Sequence, residues 1–167
     1  MVENIVNAFV EFLESNNIPT QLIPFLVSLF PVLEIRGGMI AARALNIDFI
    51  QAFLVCYLGN MIPIPFILLF IRKIFALMRK VKFFGKIVDK LEARADKKKD
   101  TIVKYQEWGL LLFVAIPLPG TGGWTGALVA AMIDMPPKKA FVCVLTGVLI
   151  ASVIVSFITY GTVALFF

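Results

Sequence analysis

Two oppositely charged residues, Glu34 and Arg36, stand between long apolar stretches of this 167-residue sequence, directly before Gly37-Gly38. Burial raises the pKa of a carboxylate, so Glu34 is a candidate proton-exchanging group. The guanidinium of Arg36 presents a planar fork of N–H donors that suits an anionic group. The alternative role for the pair is a structural ion pair. Arg43 follows Arg36 by roughly two helical turns, and it is either a second anion contact or a side chain that extends to a polar surface.

A second glycine-rich segment, Thr121-Gly122-Gly123-Trp124, precedes a helix that we predict to begin near Trp124. Gly37-Gly38 is predicted to open a helix in the same way. Helix N-termini carry free N–H groups and the positive end of the helix dipole, so two such ends facing each other would form a cavity that accepts an anion. The glycines equally suit tight turns between packed segments. Trp124 is a candidate substrate contact, and Asn60 is a candidate cavity-lining residue or a partner in a helix–helix hydrogen bond.

The composition around these residues is that of an integral membrane protein. Sixty per cent of the residues are apolar, 16% are charged and the mean hydropathy is +0.92, which excludes an ordinary soluble enzyme of this size. The sequence contains no histidine, which removes His-based zinc sites, Ser-His-Asp triads and Cys-His nucleophiles. Cys56 and Cys143 lie in apolar runs and are predicted to pack there. We therefore expect no enzyme activity, no cofactor and no metal site.

The first half of the chain is predicted to hold three elements. Residues 1–17 form an amphipathic helix that lies on the membrane or on the rest of the protein. Residues 18–47 form a hairpin whose arms, Leu22–Val32 and Gly37–Ile47, are each about 16 Å long and cross about half of the hydrocarbon core. Its tip brings Glu34 and Arg36 to membrane depth. Residues 49–71 carry no charge and are long enough for a full transmembrane helix.

The second half repeats this order after a basic segment. Twelve of the 16 Lys and Arg residues fall between Arg72 and Lys104, so residues 72–107 are predicted to be an amphipathic linker on the cytoplasmic side. Residues 108–167 form the second repeat, with a hairpin at 109–133 and a transmembrane helix at 138–160. The fold class is therefore an all-α integral membrane protein with two repeats, each a re-entrant helical hairpin followed by a transmembrane helix, together with amphipathic interfacial helices.

Matching residues support the internal repeat, at an offset of 85–88 positions. The sequence pairs Pro31 with Pro117, Gly37-Gly38 with Gly122-Gly123, Asp48 with Asp134, Ala52-Phe53 with Ala140-Phe141, Cys56 with Cys143 and Gly59 with Gly147. A hairpin makes no net crossing and a span makes one, so the two repeats must have inverted topology. Inverted repeats with interrupted helices near the midplane are typical of secondary transporters. Hairpin one then enters from outside and hairpin two from inside.

The segments from Pro31 to Gly38 and from Pro117 to Ala127 resemble the two signature segments of the small multidrug export protein family of prokaryotes, which is similar to the DedA/VTT membrane proteins. The resemblance implies two re-entrant hairpins that face each other and movement of a substrate across the cell membrane. DedA relatives are associated with recycling of polyprenyl-phosphate carriers and with the proton-motive force, and VTT relatives with lipid scrambling. Glu34 matches an acidic position type of the DedA first hairpin. The arginines of the DedA second hairpin have no counterpart between Trp108 and Ile133.

Three functions follow as hypotheses. The first is a transporter of a small amphiphilic or anionic substrate, coupled to protons or cations through Glu34. The second is a DedA/VTT-like lipid flippase or scramblase, and the third is a structural or assembly-factor protein without transport. The expected partners are membrane lipids and a small-molecule or lipid-linked substrate. No nucleic acid is expected, because the basic linker lacks interleaved aromatic residues and a known fold motif. A homodimer is one way to enclose more volume than two hairpins and two spans do alone.

Overall fold

The computed structural model describes residues 2–78, 89, 107–118 and 120–161, and its regular elements within these ranges are helices without any strand. The predicted all-helical fold is confirmed there. The elements in chain order are α1 (Val2–Ser15), a 3₁₀ turn (Thr20–Leu22), α2 (Ile23–Leu29), α3 (Glu34–Ala44), α4 (Phe49–Met61), α5 (Pro63–Met78), α6 (residues 107–115), α7 (Gly123–Met132), α8 (Pro137–Ser156) and a π-helical turn (Phe157–Gly161).

Two stretches are long and apolar enough to cross a membrane. Phe49–Ile71 has 23 residues and a mean hydropathy of 2.2, and Pro137–Gly161 has 25 residues and a mean hydropathy of 2.7. They coincide with the predicted spans 49–71 and 138–160. Only 44% of each apolar window is buried inside the protein, so much of the apolar surface faces outward. Such a surface is stable against lipid and costly against water, which is consistent with a membrane protein.

The first of these stretches is interrupted where α4 gives way to α5. Ile62 separates the two helices, and Pro63 follows it. Proline has no backbone N–H, so the ladder of helical hydrogen bonds breaks at this point. Helix α5 then continues to Met78, so residues 72–78, the first part of the predicted linker, are helical, while the apolar stretch itself ends at Ile71. The rest of the linker, apart from residues 89 and 107, lies outside the described residues.

Helix α1 packs on the first hairpin. Its buried side chains Val6, Val10 and Leu13 join an apolar cluster with residues of α2 and α3, while Glu11 and Glu14 are exposed. Residues of one face recur every three to four positions, as the amphipathic pattern predicts. The sequence allows α1 to lie either on the membrane or on the rest of the protein. In the structure, much of its apolar face packs on the rest of the protein.

Helices α2 and α3 pack along each other and against α4, with α3 beginning at Glu34. The prediction that α3 begins at Gly37 is wrong, because the helix starts three residues earlier. The N–H of Gly37 donates to the Leu33 carbonyl at 2.8 Å and is not free for a ligand. Gly38 allows close packing instead. A Cβ atom there would overlap Ser28 Oγ and lie 2.9 Å from Cys56 Sγ.

The second hairpin, formed by α6 and α7, packs through glycines in an equivalent way. A Cβ atom on Gly126 would overlap Val114 of α6. A Cβ atom on Gly147 of α8 would lie 2.9 Å from the carbonyl oxygen of Leu111. In the first half, a Cβ atom on Gly59 of α4 would likewise lie 2.5 Å from the carbonyl oxygen of Phe25. Close helix approach at small residues replaces the hydrophobic driving force that is weak inside a bilayer.

The turn after α3 and the turn after α7 share one backbone design in a register of 88 residues. Asn46 and Asp134 have φ angles of 54° and 58°. The flanking hydrogen bonds correspond one to one. At the first turn, the N–H groups of Leu45, Ile47 and Ala52 donate to the carbonyl oxygens of Ala41, Ala42 and Asp48. At the second turn, those of Ile133, Met135 and Ala140 donate to the carbonyl oxygens of Val129, Ala130 and Pro136. A residue in the left-handed conformation after a helix satisfies its last carbonyl groups, which explains the common geometry.

This register corrects two of the sequence pairings. Asp134 corresponds to Asn46 rather than to Asp48, and the counterpart of Gly38 is Gly126. The pairing of Gly37-Gly38 with Gly122-Gly123 is wrong because the tip of the second hairpin is longer: residues 116–122 connect α6 to α7, whereas residues 30–33 connect α2 to α3. The inverted orientation of the halves and the re-entrant path of the hairpins stay predictions.

Candidate functional site at the hairpin tips

The N-terminus of α3 meets the N-terminus of α7 through Glu34. Glu34 Oε1 accepts a hydrogen bond from the backbone N–H of Trp124 at 3.1 Å, and the side chain of Glu34 is buried. Helix α7 has no capping side chain of its own at Gly122. A carboxylate from the other half of the chain therefore satisfies a free N–H and interacts favourably with the positive end of the α7 dipole.

Gly122 makes room for this contact. A Cβ atom on Gly122 would overlap Glu34 Oε2 and lie 2.8 Å from the carboxylate carbon. The φ angle of Gly122 is +133°, a conformation that side-chain-bearing residues rarely adopt. Glycine is required here both for backbone conformation and for the close approach of the carboxylate.

Arg36, two residues further along α3, binds the same segment. Its Nη2 lies 3.2 Å from the carbonyl oxygen and 3.2 Å from the hydroxyl oxygen of Thr121. The Thr121 hydroxyl is also within hydrogen-bonding distance of the carbonyl oxygens of Ile116 and Leu118 and accepts from the Leu118 N–H at 3.1 Å. The half-buried guanidinium thus holds a loop that is already ordered by Thr121.

A small cavity lies between the tips, with room for about one water molecule. Its lining residues come from both halves: Glu34, Ile35, Arg36, Asn60, Val114, Gly122, Gly123, Val148 and Ala151. The side chain of Asn60 is fully buried, and neither of its amide atoms has a hydrogen-bond partner among the described residues. Buried amides are nearly always paired, so this orphaned group marks the cavity as a polar site in an apolar core.

The structure brings together seven of the ten residues that the sequence singles out: Glu34, Arg36, Asn60, Thr121, Gly122, Gly123 and Trp124. Trp124 takes part through its backbone N–H, whereas the prediction concerned its side chain. Gly37 and Gly38 belong to the α2–α3 contact instead.

Arg43 also lies apart from the cavity. It is at the far end of α3, with its guanidinium carbon 5.6 Å from the centre of the Tyr160 ring. This geometry is a cation–π contact, which the sequence does not predict. Arg36 and Arg43 share a helix but are about 10 Å apart along its axis.

Several residues of the site have no sequence signal. Val114, Val148 and Ala151 line the cavity, yet an apolar residue in an apolar helix looks the same in sequence wherever it points. Within the described ranges, no group of three or more His, Cys, Asp or Glu residues is arranged to hold a metal ion. The chemical groups that converge are a carboxylate, a guanidinium, an unpaired amide and a helix N-terminus.

A family model described as "Putative small multi-drug export protein" matches residues 34–154, a range that begins at Glu34 and includes Thr121, Gly122 and Trp124. The chain belongs to this family. The family description indicates an export protein of the membrane, which agrees with the two long apolar helices. It also favours a transporter over an enzyme. No curated protein and no solved structure matches this member of the small multi-drug export family.

Proposed function

We propose that the protein is an integral membrane transporter that moves a small amphiphilic or anionic substrate across the bilayer, coupled to protons or ions through Glu34, with Arg36 as an anion contact. The observation that carries this proposal is the buried Glu34 carboxylate on the N-terminus of α7, 3.1 Å from the Trp124 nitrogen. An ionisable side chain inside a membrane protein costs several kcal/mol, about 2.5–3.5 on insertion scales, and commonly marks a transport pathway.

The helix directions support two repeats of opposite orientation. Glu34 at the start of α3 lines the cavity with Val148 and Ala151, and Arg43 at its end reaches Tyr160, so α3 runs in the same direction as the second half of α8. The start of α7, at Gly123, lies beside Ile64 at the start of α5, and α7 packs along α5.

The N-termini of α3 and α7 meet, which makes opposite directions for these two helices the natural arrangement. The second half of α8, which runs in the direction of α3, and α5, which runs along α7, would then have opposite directions as well. Inverted repeats that place helix N-termini near the midplane are the arrangement of many secondary transporters.

A surface ion pair supports the re-entrant path of the second hairpin. Lys139 at the start of α8 lies 2.7 Å from Glu107 at the start of α6. The chain therefore enters and leaves the α6–α7 hairpin at the same end of the molecule. This pair is exposed and contributes little free energy, so it indicates that the two helix starts are neighbours rather than holding them together.

In the proposed cycle, the tip contacts belong to a closed state. Protonation of Glu34 removes its charge and weakens its bond to the α7 N-terminus, because hydrogen bonds to charged groups are the stronger ones. The tips can then separate and expose Arg36, Asn60 and the N–H groups of α7 to a substrate. Proton binding and opening are linked in this way.

The second candidate function is a lipid flippase or scramblase of the DedA/VTT kind. The observation that favours it is the surface beside the Arg36–Thr121 contact, where Ile116 and Leu118 of the tip loop are about half exposed. Apolar side chains at this place suit lipid chains, so a site that opens sideways would take a lipid phosphate on Arg36. The DedA/VTT relationship itself rests on the resemblance of the signature segments.

The test is flux through purified protein in liposomes with an imposed pH gradient. The substrates are a cationic dye, a fluorescent amphiphilic anion and a labelled polyprenyl phosphate, and the variants are E34Q and R36A. Matched controls are E14Q, an exposed carboxylate on α1, and R43A, a guanidinium on the same helix as Arg36 but outside the cavity. We expect E34Q and R36A to lose at least tenfold in flux and both controls to retain it.

Flux of the labelled lipid alone would favour the flippase. Unchanged flux of every substrate in E34Q and R36A would contradict the proposal. No flux in any form of the protein would favour the structural or assembly role.

A further inference from the structure

The N-terminus of α7 already holds an anion, and this anion is a side chain of the protein. The Glu34 carboxylate accepts from Trp124 N–H, and it fills the space that the missing side chain of Gly122 leaves open. The guanidinium of Arg36 donates to the carbonyl oxygen of Thr121, the residue before Gly122. A helix N-terminus and a guanidinium next to it are groups that bind oxyanions in many proteins.

Asn60 is an independent observation that points to a ligand at the same place. Its side chain is fully buried and lines the cavity, and both amide atoms lack a partner among the described residues. A Cβ atom on Gly123 would lie 3.6 Å from Asn60 Oδ1, so the amide is beside the first turn of α7. The Nδ2 group can donate two hydrogen bonds, and neither is used by the residues that the structure describes.

The charges that line the cavity are balanced in the closed state. Glu34 and Arg36 are the ionisable residues among its described lining, and the neighbouring helices contribute Val114, Asn60, Val148 and Ala151. The other ionisable groups on the helices that contribute to the cavity are outside its described lining: Arg43 on α3, Cys56 and Tyr57 on α4, Glu107 on α6, and Lys138, Lys139, Cys143 and Tyr160 along the second span. Protonation of Glu34 therefore leaves a site with a net positive charge and several free donors.

We infer that the substrate carries an oxyanion, a carboxylate or a phosphate-like group, which takes the place of the Glu34 carboxylate on the α7 N-terminus and gains a further donor from Asn60. The inference rests on the proposed transport function and names its substrate class. One anion fits on the α7 N-terminus at a time. The proton goes to a carboxylate oxygen of Glu34, the neutral side chain leaves the Trp124 N–H, and the oxyanion accepts that hydrogen bond.

Coupling then follows from competition. An anion that binds while Glu34 is charged would place two negative groups on one helix end, which costs free energy. The anion therefore binds together with a proton, and the two move in the same direction. Because the closed cavity holds about one water molecule, the anion enters only when the tips separate.

The test measures anion binding to the purified full chain by the fluorescence of Trp124. Trp108 is exposed, and W108F leaves Trp124 as the single tryptophan of the chain. The probes are octanesulfonate and methanesulfonate, which stay monoanionic across the pH range, with octyltrimethylammonium as the cationic control. Binding of octanesulfonate alone indicates a lipid-like substrate, and equal binding of methanesulfonate indicates a free anion. Either result supports the oxyanion site.

We expect the affinity for octanesulfonate to rise about tenfold for each unit that the pH falls towards the pKa of Glu34, and to level off below that pKa. In E34Q the affinity should be at least tenfold higher at alkaline pH and independent of pH. N60A, which removes the donor without touching Glu34, should bind about tenfold more weakly and keep the pH dependence. N60A also decides the matter if E34Q fails to fold.

Equal octanesulfonate affinity in E34Q and in the parent protein at every pH would overturn the inference. So would a preference for octyltrimethylammonium that E34Q abolishes. In both cases the transport proposal is judged separately, by liposome flux. The predicted gain of affinity in E34Q without any flux would support an anion site in a protein that does not transport.

Discussion

The hydroxyl of Tyr57 donates a hydrogen bond to the carbonyl oxygen of Leu145 at 3.2 Å, and these residues occupy the same position of the two halves in the 88-residue register. Asn60 and Val148 keep the same register and both line the cavity. When two copies are related by a two-fold axis, a residue can contact its own counterpart only near that axis. The cavity is therefore where a two-fold axis between the proposed inverted repeats would pass.

The topology can be tested by cysteine labelling in a background without Cys56 and Cys143. If the repeats are inverted and the basic linker is cytoplasmic, as predicted, Ala44 at the end of α3 lies outside the cell and Lys138 at the start of α8 lies inside. We expect A44C to react with an impermeant thiol reagent from outside only, and K138C and K97C from inside only. Labelling of A44C and K138C from the same side would contradict the inverted topology, and outside labelling of K97C would contradict the cytoplasmic linker.

Substitution of Gly122 by alanine should displace Glu34 from α7. The new Cβ would overlap the carboxylate, and the backbone conformation is itself strained for alanine. We expect G122A to lower the free energy of unfolding by about 1–3 kcal/mol beyond its backbone strain, from the lost capping bond, as measured by thermal or denaturant unfolding in detergent.

Two comparisons isolate the overlap in this experiment. Gly120 also has a positive φ, +83°, but open space around it, so G120A reports a backbone cost of about 1–2 kcal/mol alone. In an E34A background the overlap is gone, and G122A should cost less than in the parent protein. Equal costs in both backgrounds would mean that Glu34 and Gly122 do not interact.

Arg36 and Thr121 should be energetically coupled across the two halves. R36Q and T121V each remove part of the contact at 3.2 Å, so the double variant should be less destabilised than the sum of the singles by about 0.5–1.5 kcal/mol. The matched pair R43Q and T121V shares no contact and should be additive within about 0.5 kcal/mol. Additivity in the first pair would show that the tips do not bind through these side chains.

Gly38 should be the most sensitive glycine of the first hairpin. A Cβ atom there would overlap Ser28 Oγ and lie 3.0 Å from the Pro24 carbonyl oxygen, so α2 and α3 would have to separate. We expect G38A to cost about 1–3 kcal/mol, the usual effect of overpacking, seen as a lower melting temperature. G161A is the control, because its nearest neighbour would be 3.8 Å away. A melting temperature of G38A equal to that of G161A would contradict close packing at this point.

The hydrophobic pattern of the sequence is sufficient to predict the helices. The charge-free run of residues 49–71 and the helix that begins near Trp124 depend on residues that are neighbours in the chain. The sequence predicts the start of α3 three residues too late, because the glycine pair indicates a break in the chain. In the structure, packing against α2 and α4 stabilises a helix that passes through this pair. Local propensity is a weak guide where tertiary contacts compensate for glycine.

The residue types of Glu34, Arg36 and Thr121 identify them as candidates from sequence alone, because charge and hydrogen-bonding capacity in an apolar chain have few uses. Their partners were decided by the tertiary structure: the carboxylate binds a backbone N–H 90 residues away, which no side-chain pattern encodes. The same holds for Asn60, whose isolation depends on how α4 packs against α3 and α8. Sequence determines which groups carry charge and which segments are helical, since both are local properties. Packing decides which of these groups meet, since glycine contacts between distant helices set the distances.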